Sequence, residues 1–78
     1  MTLGRKIRNR REELGMNQQE LAETAHLSQS SISQIETELF IPKESTIVVL
    51  ALALRLPLEE LLRACLHKIK NVVKVCVN

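Results

Sequence analysis

The chain has no Trp, no Tyr and no Asp, and only one Phe (Phe40), two Gly, two Pro and two Cys. Each shortage excludes something. A single aromatic argues against a platform on which single-stranded nucleic acid could stack its bases. Cys65 and Cys76 are too few for a disulfide scaffold and lack zinc-ligand spacing, so reduced thiols in a cytoplasmic protein are expected. With Gly4 and Gly15 alone there is no glycine-rich phosphate loop. The longest apolar run, Ile47 to Leu54, falls far short of the roughly 18 residues that suggest a membrane span. The opening Met1-Thr2-Leu3-Gly4-Arg5-Lys6 turns charged too soon for a signal peptide. Neither His26 nor His67 has a Ser, Cys or acid at a catalytic spacing. Cys65 and His67, two apart, face different ways on a helix. No enzyme, metal or cofactor is expected.

What is present describes one small globular domain of 78 residues, 45% hydrophobic and 26% charged. The net charge of +2 hides an uneven distribution. Residues 1–11 hold Arg5, Lys6, Arg8, Arg10 and Arg11 with no acid. Residues 12–42 hold Glu12, Glu13, Glu20, Glu23, Glu36 and Glu38 with no Lys or Arg. The remainder is basic again. A polyanion would have to approach through the two ends and Lys43.

Apolar periodicity divides the chain into five short helices. Leu3, Ile7 and Leu14 recur at helical spacing through 2–14, with Thr2 as N-cap and Gly15 as the left-handed terminator. Asn17 and Glu20 form a capping-box pattern ahead of Leu21, Ala22 and Ala25. Ser28 can cap a third helix that turns Ile32 and Ile35 inward. After Pro42, the stripe Ile47, Leu50, Ala51 and Leu54 marks a fourth helix, and Leu58, Leu61 and Leu62 begin a fifth. The close pair Asn17 to Ala25 and Ser28 to Thr37 suggests a helix-turn-helix. The only strand signal is the terminal cluster Val72-Val73-Lys74-Val75-Cys76-Val77.

Three segments, read together, resemble the Cro/repressor helix-turn-helix family. They are Leu3-Gly4-x-x-Ile7-Arg8-x-x-Arg11, Gly15-Met16-Asn17-Gln18-x-x-Leu21-Ala22 and Leu27-Ser28-Gln29-x-x-Ile32-Ser33-x-Ile35-Glu36. Pro42, Leu50-Ala51-x-x-Leu54 and Leu58-Glu59-Glu60-Leu61-Leu62 follow at matching distance. The resemblance covers residues 3–63. It implies an all-α, five-helix repressor-like DNA-binding domain over 1–70, with the helix-turn-helix proper at 17–37 and a tail at 71–78. It also implies a dimer that binds double-stranded DNA and regulates transcription in bacteria or their phages. Three departures concern helix ends. His26 stands where the family commonly has Gly. Thr37-Glu38 replace an Asn-Gly-like pair. Arg55 and Pro57 replace a Gly and a capping Ser. At His26 a strained backbone, rather than a misfolded one, is expected.

On this mapping Gln29, Ser30, Ser33 and Gln34 face outward to read bases, Gln by bidentate pairing with adenine. Asn17, Gln18, Ser28, Lys43, Arg8, Arg10 and Arg11 are candidate phosphate contacts. The resemblance also implies a structural ion pair between Arg11 and Glu36. The acidic balance of 12–42 implies modest affinity and a shallow salt dependence.

The fourth helix is apolar beyond its core stripe, and Leu58, Leu62, Cys65, Ile69, Val72 and Cys76 repeat at spacings of four and three. A homodimer interface is therefore expected at Val48, Val49, Leu52, Leu62, Cys65, Ile69, Val73 and Val75. The tail pairs either as a continued helix or as a strand, with β-branched residues favouring the strand. A two-fold dimer would set recognition helices about 34 Å apart. The alternative reading is a protein-interaction module, such as an antirepressor, that keeps the fold but binds a regulatory protein instead of DNA.

Overall fold

The computed structural model describes residues 2–39 and 41–68, with side chains through Ala64. The expectations for Ile69, Val73, Val75, the tail at 71–78 and the Cys65 side chain lie outside the described residues. Five helices follow in order: α1 (Leu3–Glu13), α2 (Gln18–Ala25), α3 (Gln29–Glu36), α4 (Glu44–Leu54) and α5 (Leu58–Lys68). Among the described residues there is no strand.

Local chemistry sets the helix starts. Thr2 Oγ1 accepts from Arg5 N at 3.4 Å. Asn17 and Glu20 close a reciprocal capping box, each bond 2.8 Å. Ser28 Oγ accepts from Ser31 N at 3.0 Å. Each cap satisfies an amide that the helix itself leaves without an acceptor. The start of α4 differs: Lys43 offers no side-chain cap and follows the buried Pro42.

Four helix ends share one hydrogen-bond pattern. After α1, Gly15 N donates to Glu12 O and Met16 N to Arg11 O. His26 and Leu27 repeat this on Glu23 and Ala22, Glu38 and Leu39 on Ile35 and Gln34, and Arg55 and Leu56 on Leu52 and Ala51. This is the Schellman closure, which needs a left-handed residue. Gly15 has φ 73°, and His26, Glu38 and Arg55 have φ 58°, 63° and 56°. The non-glycine departures thus keep the backbone shape and carry its strain.

The buried core is aliphatic. Leu3 and Ile7 of α1 meet Leu21, Ala22 and Ala25 of α2, Ile32 and Ile35 of α3, Ile47, Leu50, Ala51 and Leu54 of α4, and Leu61 and Ala64 of α5. α2 packs on α3 and α4, and α1 lies across α3, α4 and α5. Gly4 explains how α1 comes so close to α3. A methyl group on Gly4 would lie 2.6 Å from the carbonyl oxygens of both Ile35 and Glu36, and 2.9 Å from Glu38 Cγ. Only a residue without Cβ lets the start of α1 rest on the end of α3.

Candidate nucleic-acid interface

α3 is built to show one face. Ile32 and Ile35 are buried, while Gln29, Ser30 and Gln34 are exposed and Ser33 is half-buried. Residues 29 and 33, and 30 and 34, are one helical turn apart, so the four form a continuous outward patch. No hydrogen bond to another described group engages these four side chains, so their amides and hydroxyls are available to a ligand. The next residue along the row, Thr37, turns its hydroxyl back onto Ser33 O at 2.8 Å.

The flanking groups are divided. Asn17 holds Glu20 N through Oδ1, which leaves its amide nitrogen directed outside the capping box. The first-turn N–H groups of α2 and α3 have no intrahelical acceptor, which gives each helix start a positive end suited to phosphate. Ser28 is less available, since its hydroxyl accepts from Ser31 N and donates to Ser31 Oγ at 2.9 Å. Lys43 is exposed and has no acid partner among the described residues.

Arg11 and Glu36 come together across 25 residues of sequence. Arg11 Nε donates to Glu36 Oε2 at 2.7 Å and Nη2 to Oε1 at 3.1 Å, in a bidentate pair whose side chains are only 10% and 3% exposed. Arg11 Nη1 also donates to Met16 O at 2.9 Å. The Glu36 hydrogen bond holds the guanidinium pKa above its ordinary value, against the opposing effect of burial. A guanidinium so enclosed and directed inward has no face left for DNA, so Arg11 leaves the set of phosphate contacts.

The other cations of residues 1–11 are also largely engaged within the fold. Arg10 Nε donates to Leu54 O at 2.9 Å, placing a cation at the negative end of α4, and Nη1 meets Glu13 at 3.2 Å. This internal duty weakens its case as a phosphate contact. Lys6 pairs with Glu60 at 3.4 Å. Arg8 meets Glu12 at 3.4 Å, but both side chains are more than half exposed, and such a pair contributes about 0–1 kcal/mol and is easily exchanged for a phosphate. Arg5 is exposed and has no acid partner among the described residues. It follows Gly4 where α1 meets the end of α3. The acids are matched in the same way: Glu12, Glu13 and Glu36 face arginines, and Glu20 closes a cap. Glu36 of the helix-turn-helix is thus neutralised by the first helix, while Glu12 and Glu13 pair within that helix itself.

Sequence reasoning missed three contacts: Gly4 against α3, Arg10 on Leu54 O, and Gln18 Nε2 on Glu36 Oε1 at 3.1 Å. Each joins residues far apart in the chain. The only local sign was Gly4 inside a helix that no turn explains.

On the proposed dimer face, Leu52 is 75% exposed, whereas Val49 and Leu62 are partly buried against the chain's own core and Val48 is half-buried. Among the described residues, no group of three His, Cys, Asp or Glu gathers as a metal site, and no helix is long and apolar enough to cross a membrane.

This geometry defines a helix-turn-helix domain, two short capped helices presented by a three-helix support. Comparison with known families agrees, matching residues 7–61 to the helix-turn-helix family. The chain belongs to that family, of the Cro/C1 type, which comprises DNA-binding regulators of transcription. No curated protein matches the chain.

Proposed function

We propose that this chain binds double-stranded DNA sequence-specifically as a homodimer and represses transcription in the cytoplasm of a bacterium or phage host. α3 enters the major groove, where Gln29 and Gln34 read base edges bidentately and Ser30 and Ser33 add shorter contacts. The starts of α2 and α3, with the Asn17 amide, the Gln18 backbone N–H, Lys43 and Arg8, meet the phosphates. Arg5 joins this set as an exposed cation with no acid partner among the described residues. The observation that carries the reading is the outward patch Gln29, Ser30, Ser33 and Gln34, polar, uncharged and unengaged by any described group, on a helix whose other face is locked into the core. Leu52, together with Val48, Val49 and Leu62, contributes to the two-fold contact.

The test is a titration of fluorescent random-sequence duplex at two salt concentrations, with sedimentation alongside. Binding by a dimer that weakens with salt supports the reading. With Arg5, Arg8 and Lys43 each meeting one phosphate per protomer, the dimer releases counterions from about six phosphates, a log–log slope of about −5. The exposed Leu39 and Leu52, at 76% and 75%, favour a second reading, a module that binds a regulatory protein through apolar contacts. A stable dimer that ignores DNA even at low salt would select that reading.

A further inference from the structure

Gln18 occupies the first turn of α2, a position suited to a phosphate contact, yet its side chain faces inward. Its Nε2 donates to Glu36 Oε1 at 3.1 Å. A carboxylate only accepts hydrogen bonds, so the amide nitrogen, not its oxygen, must face Glu36. Glu36 is the last residue of α3 and its side chain is 3% exposed. Its two oxygens take Arg11 of α1 and Gln18 of α2, and Arg11 reaches on to Met16 O just before the α2 cap. One buried carboxylate therefore joins α1, the start of α2 and the end of α3.

We infer that the Gln18 side chain is a positioning group that fixes the phosphate-binding start of α2 relative to the reading face of α3. The inference rests on the DNA-binding reading above. Two parts of the interface must register with one duplex at once: amides at the start of α2 and side chains along α3. Both elements meet the same carboxylate, so losing the Gln18 bond loosens their relative placement.

The test is a double-mutant cycle on a fluorescent random-sequence duplex at low salt. Gln18→Met keeps the length of the side chain and removes the donor. Its background is the pair Arg11→Met with Glu36→Leu, which removes the acceptor without leaving a buried charge. Gln18→Met is expected to weaken binding about five- to tenfold in the unaltered chain, the effect of one hydrogen bond to a charged group, and less than about twofold in the apolar background. Equal losses in both backgrounds would show a direct DNA contact and overturn the inference, as would no loss in either. Amide exchange of the free protein gives a second readout. Gln18→Met should raise exchange at residues 18–21 and 35–39 together, and unchanged exchange would overturn the inference independently of DNA. If the unaltered chain binds no duplex, the proposed function fails, and the exchange result alone decides the positioning role.

Discussion

α1 and α3 both turn a polar face outward, and they do so for different reasons. Residues 1–11 carry five cations, the charge pattern that a nucleic-acid footprint would show. Four of them face acids within the protein, and two of those, Arg10 and Arg11, also hold backbone carbonyls. α3 carries no cation, and its only charge, Glu36, is buried in an ion pair. Its outward amides and hydroxyls form no hydrogen bond to another described group. The difference separates charge used to hold a fold together from polarity left over for a ligand. Engagement, more than charge count, locates the candidate interface.

The largest effect should come from the engaged side. Arg11→Ala leaves Glu36 buried without its partner and is expected to cost about 3–5 kcal/mol, read as a large fall in melting temperature. A melt within a degree or two of the unaltered chain would mean that the pair does not hold α1 to α3. The raised pKa of Arg11 fixes the sign of any pH effect from this group. Its contribution is fully present below the ordinary guanidinium value and is lost only as pH climbs through the raised one, so Arg11 adds no pH dependence near neutrality.

Gly4→Ala is next. The added methyl meets two backbone carbonyls at 2.6 Å, so α1 must shift away from α3 at a cost of about 1–3 kcal/mol, measured by denaturant unfolding. An unchanged midpoint would show that the two helices can separate freely.

The helix ends should give smaller effects of opposite sign. Arg55 is exposed and left-handed, and Gly at that position removes the Cβ strain, offset in part by greater freedom in the unfolded chain. Arg55→Gly is expected to stabilise by about 0.5–1 kcal/mol, a rise of several degrees in a domain of this size. A lower melting temperature would contradict the strain argument. His26→Gly should act in the same direction. Glu38→Gly should gain least, since the Glu38 side chain also packs on Gly4.

These contrasts also show what was legible in the sequence. The caps at Thr2, Asn17 and Ser28 and the turn at Gly15 were readable because each bond spans only a few residues. The inward faces of α2, α3 and α4 followed from apolar spacing. The resemblance supplied the Arg11–Glu36 pair and marked His26, Thr37-Glu38 and Arg55 as departures at helix ends. The contacts from Gln18 to Glu36 and from Arg10 to Leu54 span 18 and 44 residues. They exist only once helices have packed, and no spacing rule announces them. For the same reason the acidic balance of 12–42 counted Glu36 without its partner Arg11, which lies 25 residues away in the chain.

The most direct test of the central claim, that the unengaged face of α3 reads DNA sequence, is a selection of bound duplexes from a random pool. It would compare the unaltered chain with Gln29→Ala and Gln34→Ala. Both substitutions are on the exposed surface and should leave stability within about 0.5 kcal/mol, so folding does not confound the comparison. The account expects the unaltered chain to enrich a two-fold related pair of half-sites. Each variant should lose preference at one base position per half-site, by about 1–3 kcal/mol, and keep it at the others. An identical consensus from all three proteins, or no enrichment by the unaltered chain, would contradict it.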